Sequence, residues 1–251
     1  MKKSLLFVLA VVLVLVVSPA YALFTNGGFD TGDASGWTVV GDYSVISSFS
    51  PQFNNTSGWT SGIPYYGSHS LMLGSGDVGN VWDDRHQSSA TQTDTVSAAD
   101  IAAGLHLYFK WGAILEEPTN NATHTDAQQP YFSVDISKWN GGGWTSMYYD
   151  DHRANQLGFT KIGTNALGDD GDIWYGSAVT DFDLSSLTAG DQVKIDLFVR
   201  DCGQGGHGGL VFLDGFGTEQ PPDDNVVPEP GTLMLLGTGL VGLIGLRRKS
   251  R

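Results

Sequence analysis

A single cysteine, Cys202, stands in a chain of 251 residues. One thiol closes no intrachain disulfide, so a disulfide-stapled fold is excluded. Positive charge is scarce: 13 Lys and Arg face 27 Asp and Glu, for a formal net charge of −14. Phosphate binding needs clustered cations, so nucleic acid is excluded as a partner. Glutamate is scarcer still, with 4 Glu beside 23 Asp, while Gly reaches 34. Asp and Gly favour turns and disfavour helix interiors, which argues against a helical bundle. The middle of the chain holds no helical period of useful length. Ser97–Gly104 (SAADIAAG) allows one or two turns at most. No internal repeat is visible.

Catalytic signatures are missing as well. No G-x-S-x-G nucleophile turn occurs. His69, His106, His124, His152 and His207 are scattered, without the H-E-x-x-H or H-x-H spacing of a zinc site. Trp82-Asp83-Asp84-Arg85-His86 offers a histidine beside carboxylates. Glu116-Glu117 resembles half of a glycosidase pair, but hydrolysis needs two carboxylates at a set separation. Glu116 follows a strand end, where exposed acids are ordinary. Cys202 sits beside Asp201, which disfavours a thiolate, so it reads as a structural thiol.

What is present begins at the ends. Lys2 and Lys3 precede an apolar run, Ser4–Val17, and Ala20-Tyr21-Ala22 has the A-x-A form of a cleavage site. This is a signal peptide over residues 1–22, with signal peptidase as its partner and Leu23 first in the mature chain. At the other end Val227-Pro228-Glu229-Pro230-Gly231 leads into an uncharged apolar stretch ending at Leu246. Arg247, Arg248, Lys249 and Arg251 follow. That pattern reads as a single transmembrane helix whose basic stop stays cytoplasmic, leaving the domain outside. Gly237, Gly239, Gly242 and Gly245 recur within it, a spacing also found on helix-pairing faces.

Pro228-Glu229-Pro230, the Gly-rich apolar helix and the Arg-rich tail together resemble the PEP-CTERM sorting signal of Gram-negative bacteria. The resemblance implies recognition and cleavage by an exosortase. It also implies membrane anchoring before processing, then display at the cell surface or release into the extracellular polysaccharide matrix. With both ends removed, Leu23–Val227 carries −19, from 26 acidic and 7 basic residues. Such a domain stays soluble and attracts divalent cations.

The strand signals in this middle part are numerous. Val193, Ile195, Leu197 and Val199 alternate with Lys194, Asp196, Phe198 and Arg200. Phe132, Val134 and Ile136 alternate in the same way. A second run, Trp144–Tyr149, follows Asn140-Gly141-Gly142-Gly143, which makes a β-hairpin. Leu105–Leu115 is apolar on both faces apart from His106 and Lys110, as in a central covered strand. Leu210–Phe216 makes a last strand, and Phe29, Trp37–Val40 and Tyr43–Ile46 make early ones. Glu116–Pro130 is expected to be an exposed loop, and Glu219–Val227 a polar linker. The fold class is therefore all-β: a jelly-roll-type β-sandwich over residues 23–218, a linker over 219–227 and a sorting tail over 228–251.

Asn26-Gly27-Gly28-Phe29-Asp30 followed by Gly36-Trp37 resembles the opening of galactose-binding-like and carbohydrate-binding-module jelly rolls. Trp174, Asp181–Ser185, Gly190–Val193 and Val211–Asp214 resemble their closing strands. Asp30 stands where Glu is commoner, and Gly215-Phe216 replaces the usual Asn-Val. The resemblance implies a structural Ca²⁺ between Asp30 and Asp214, completed by backbone carbonyls of Asn26–Gly28. Asp169-Asp170-Gly171-Asp172 also looks cation-friendly, but it lacks the closing Glu of an EF-hand and reads as a charged turn.

Trp59, Tyr65 and Tyr66 lie in a stretch rich in Gly, Ser, Asn and Pro, as aromatic platforms for sugar rings do. The same rings would equally serve to cover the sandwich edge. Trp37 and Trp174 are expected in the core. The sequence thus points to an exported, non-catalytic surface or matrix protein that binds polysaccharide. A glycan hydrolase on the same scaffold and a purely structural or adhesive component are the alternatives.

Overall fold

The computed structural model describes residues 23–74, 86–118, 125–154, 156–166, 171–203 and 207–218. The expected signal helix, the linker and the sorting tail with its apolar stretch lie outside the described residues, as do residues 82–85 and 169–170. Among the described residues no helix is long and apolar enough to cross a membrane.

Twelve strands form two antiparallel sheets. In chain order they are β1 (Thr38–Val40), β2 (Tyr43–Ile46), β3 (Asn54–Asn55), β4 (Ser70–Leu73), β5 (Gln87–Thr95), β6 (His106–Pro118), β7 (Tyr131–Trp139), β8 (Trp144–Arg153), β9 (Thr160–Thr164), β10 (Gly171–Asp183), β11 (Gln192–Arg200) and β12 (Gly209–Gly217). One sheet runs β1-β5-β11-β7-β8, the other β2-β4-β12-β6-β10-β9-β3. The fold is the all-β, jelly-roll-type sandwich that the alternating runs predict. One short helix, α1 (Ala98–Ala102), is closed by a capping box between Ser97 and Asp100.

The core forms where period-2 runs from both sheets meet. Leu107, Phe109, Trp111, Ala113 and Leu115 of β6 pack with Phe132, Val134 and Ile136 of β7 and with Val193, Ile195, Leu197 and Val199 of β11. Trp37 is in this core and Trp174 packs against it, as expected. A second apolar cluster lies on the outer face of the seven-stranded sheet. There Ile114, Ile173, Leu210 and Phe212 are covered by Phe53, Ile63, Trp59 and Tyr65 from the chain between β2 and β4. That cover explains why Leu105–Leu115 reads as apolar on both faces.

Three expectations are corrected. Phe29 is no strand residue: it sits in a turn at φ 53°. Its buried ring lies 5.5 Å from Trp37 and 6.3 Å from Phe216, plugging the end of the core. Glu116 and Glu117 are not in an exposed loop, because β6 continues through Pro118 and buries both. Gly171 and Asp172 do not belong to a charged turn but open β10, where Asp172 pairs with Lys161 at 2.6 Å.

β5 carried no apolar signal because its inward residues are Ser88, Ala90 and Gln92. Gln92 is tolerated inside because its amide donates to the carbonyls of Thr25 at 3.0 Å and Gly36 at 2.7 Å.

Candidate functional site

Asp30 and Asp214 converge. Asp214 lies on β12, which runs through the centre of its sheet, and the residue is fully buried. Its Oδ2 accepts from the backbone N–H of Tyr66 and the hydroxyl of Ser70, both at 2.8 Å. Asp30 Oδ1 accepts from the backbone N–H of Ser68 at 2.6 Å and its hydroxyl at 2.8 Å. The segment Tyr66–Ser70 therefore wraps both carboxylates. Gly67, at φ 63°, is required there, since a Cβ would stand 2.3 Å from Asp30 Oδ1.

The two remaining carboxylate oxygens face one small space. A Cβ at Gly28 would stand 3.5 Å from Asp30 Oδ2 and 3.9 Å from Asp214 Oδ1. Asp214 Oδ1 is buried and, among the described residues, has no hydrogen-bond partner. An orphaned buried oxygen beside a second carboxylate is the kind of vacancy a hard cation satisfies. The donor set fits calcium if backbone carbonyls complete it. Among the described residues no third His, Cys, Asp or Glu joins the pair. Burial, with a smaller contribution from Asp30, pushes Asp214 up to about 7, against the lowering effect of its hydrogen bonds.

Trp59, Tyr65 and Tyr66 are all half-buried. The Trp59 ring packs 4.9 Å from Tyr175 and 6.4 Å from Phe53. The Tyr65 hydroxyl meets that of Tyr175 at 3.0 Å. Lys110 Nζ lies 4.7 Å from the Tyr65 ring centre and 5.8 Å from that of Tyr66. These rings thus cover the outer face of the seven-stranded sheet, and Tyr66 also joins the carboxylate pair through its backbone.

A larger aromatic surface lies on the opposite sheet, and sequence reasoning missed it. Phe132, Val134 and Ile136 point inward, so Tyr131, Ser133 and Asp135 point outward on β7. Register then defines rows across three strands. Arg153, Tyr131 and Arg200 form one row; Tyr149, Asp135 and Asp196 form another. At the hairpin end Trp139 and Trp144 are cross-strand partners with ring centres 5.5 Å apart. Tyr149 is 59% exposed, Trp139 38% and Trp144 36%. At the far end the Tyr131 and Phe198 rings lie 5.5 Å apart. The β7 segment between the two ends spans about 26 Å at the usual strand rise.

Polar groups on this face are fixed by short contacts. Asp196 binds Lys194 at 2.5 Å and Thr91 at 2.7 Å. Asp135 accepts from Ser137 at 2.8 Å, and Lys194 Nζ lies 5.2 Å from the Trp144 ring centre. A cavity of about 330 Å³, lined by Lys138, Asn140, Thr145, Met147 and Ser186, lies on the opposite, core-facing side of the hairpin and is not part of this face. The signal for this face was present in the alternation of β7 and β11. Alternation gives the outward residues of each strand, but not which of them stand side by side across strands.

Glu116, the sequence candidate for a catalytic acid, is fully buried. Its Oε1 accepts from Asn165 at 2.8 Å and its Oε2 from the backbone of Gly208 at 3.2 Å. On the inward side of β8 Tyr148 donates to Asp150 at 3.2 Å, and burial, with Asp150 adding, pushes its phenol up to about 12. Cys202 is a buried free thiol.

Residues 226–249 match the PEP-CTERM protein-sorting motif. The motif marks an exported, secreted protein handled by an exosortase. No curated protein matches the chain. Among solved structures the chain is similar to a CBM28 carbohydrate-binding module specific for non-crystalline cellulose: 14% identity over 81% of this chain and 98% of that one, TM-score 0.39. It is similar to CBM27-1 of Caldicellulosiruptor saccharolyticus in complex with mannohexaose: 12% identity, 78% and 97% coverage, TM-score 0.37. A third likeness is to carbohydrate-binding modules of the β-sandwich superfamily: 9% identity, 80% and 62% coverage, TM-score 0.35. At these identities and scores the likenesses bear no functional argument.

Proposed function

We propose that the chain is a non-catalytic protein of the cell surface or extracellular matrix that binds polysaccharide on the outer face of its five-stranded sheet. One observation carries this reading: the open run of rings from Trp139 and Trp144 through Tyr149 to Tyr131 and Phe198. Ring faces receive the apolar faces of sugars, and the carboxylates and hydroxyls between them receive sugar hydroxyls. The long, open shape suits a polymer better than a small molecule. Trp59, Tyr65 and Tyr66 then serve mainly to cover the outer face of the opposite sheet.

Glycan hydrolysis is the weaker reading. It needs an acid and a base held across a scissile bond. Asp135 and Asp196 are register partners on the open face, but Asp196 is engaged by Lys194 and Thr91. Glu116 is fully buried on the outer face of the seven-stranded sheet, where Asn165 and Gly208 hold it. A structural Ca²⁺ held by Asp30, Asp214 and nearby carbonyls belongs to the same proposal. Its part is to fix the Tyr66–Ser70 segment to the last strand.

A glycan array probed with the exported protein separates the readings. Binding without release of reducing ends is expected, with Trp144→Ala and Tyr149→Ala each weakening it about tenfold. Release of reducing ends would establish the hydrolase. Silence in both assays would leave a structural or adhesive component. For sorting, replacing Pro228-Glu229-Pro230 is expected to trap a longer precursor in the membrane, and equal release of both forms would refute processing there.

A further inference from the structure

We propose that the polysaccharide taken by this face carries an anionic substituent, received by the row Arg153–Tyr131–Arg200. The inference rests on the binding face proposed above and names the chemistry of its ligand.

Leu23–Val227 holds 26 acidic residues and 7 basic ones. In such a chain each cation is expected to find a carboxylate. Of the seven, Lys138 pairs with Asp191, Lys161 with Asp172, Lys194 with Asp196 and Arg153 with Asp151, while Lys110 lies over the Tyr65 and Tyr66 rings and Arg85 is outside the described residues. Arg200 differs: among the described residues no carboxylate lies within ion-pair distance of it. It donates instead to the carbonyl of Ala127, and its Nε is buried without a hydrogen-bond partner.

The placement of Arg200 sharpens the point. Arg200 and Arg153 are both register partners of Tyr131, one on each neighbouring strand. Their guanidinium carbons lie 4.4 Å and 5.5 Å from the Tyr131 ring centre. Two guanidinium groups over one ring repel each other, and Asp151 offsets only one of them. The row therefore holds one positive charge in excess, at the end of a run of sugar-sized rings. A guanidinium presents a planar fork that matches a carboxylate or sulfate in two parallel hydrogen bonds. The Tyr131 ring packs against both guanidinium groups and so holds them at this end of the face. The −19 of the domain opposes a polyanion at long range. At physiological ionic strength that field decays within about 8 Å, so the row's own charge decides at contact.

The test uses the full-length protein and paired ligands. Uronate-bearing polysaccharides are arrayed beside their carboxyl-reduced forms, and sulfated chains beside their desulfated forms. At least one charged form is expected to bind about tenfold tighter than its neutral twin. Carboxylate and sulfate arms identify the group. Arg200→Gln is expected to erase the difference between charged and neutral twins, and Arg200→Lys to retain part of it. Melting curves check that the variants fold. Equal affinity for charged and neutral twins overturns the inference, as does a preference that survives Arg200→Gln. If only neutral chains bind, the inference fails and the binding face stands. If nothing binds, both fail.

Discussion

The backbone N–H of Tyr66 donates to Asp214 Oδ2 at 2.8 Å, joining residues 148 positions apart. This bond ties the aromatic segment covering the seven-stranded sheet to a buried carboxylate of the last strand. Ser70 and Ser68 repeat the tie on Asp214 and Asp30. One short stretch thus holds both carboxylates and joins them to the chain that carries Tyr65 and Tyr66.

Calcium is expected to stabilise the fold through that pair. At a hundredfold excess over its dissociation constant, a ligand of the native state adds about 3 kcal/mol. In a domain of this size that is a rise of several degrees in melting temperature. Chelation with EDTA reverses it, and Asp214→Ala or Asp30→Ala makes the melting curve insensitive to either treatment. A wild-type curve that ignores both calcium and EDTA would sink the site.

The same pair gives a pH dependence of known sign. Asp214 titrates at about 7 when folded, against an ordinary 3.8. Between those values the folded state holds a proton that the unfolded chain has released, so in EDTA its contribution to stability falls as pH rises from about 4 to about 7. A bound cation needs the carboxylate ionised, so the gain from calcium grows over the same window. Melting temperatures from pH 4.5 to 8, with and without calcium, should diverge upward. Parallel curves would contradict the assignment.

Gly112 lets Tyr65 dock. A Cβ there would stand 1.9 Å from the Tyr65 hydroxyl and 3.0 Å from that of Tyr175. Gly112→Ala is expected to cost about 1–3 kcal/mol by denaturant unfolding. In a Tyr65→Ala background the same change should cost far less, because the clashing group is gone. Simple additivity of the two substitutions would show that the contact does not decide the position.

Glu116 is expected to matter for stability and not for ligand binding. Glu116→Ala removes a buried acceptor from the amide of Asn165 and the N–H of Gly208 on the outer face of the seven-stranded sheet, at a cost of about 2–3 kcal/mol. Glycan affinity, measured below the melting temperature, should be unchanged. A loss of turnover in this variant would instead revive the catalytic reading of that residue.

Much of the fold was legible from alternation alone. β7, β11 and the β7–β8 hairpin follow from period-2 runs and a Gly-rich turn, because β7 and β11 bury one clean apolar face; β12 follows instead from its continuous apolar run, buried on both faces. β5 was not legible: its inward Gln92 is stabilised by the carbonyls of Thr25 and Gly36, far away in sequence. Phe29 was misread for a related reason. Its ring is core, yet its backbone turns at φ 53° to bring Gly27 against Phe216.

The candidate site divides along the same line. The sequence alone determined the sorting motif and the acidic, Gly-rich all-β domain, because each rests on local composition or a short motif; the pairing of Asp30 with Asp214 was legible only through the resemblance to jelly-roll domains. The tertiary structure alone decided which side chains share a surface. It turned Trp59 and Tyr65 onto an outer apolar cluster, sealed Glu116, and set Arg153, Tyr131 and Arg200 side by side. Strand register makes such neighbours out of residues as many as 69 positions apart, and no local pattern encodes register between strands so distant in the chain.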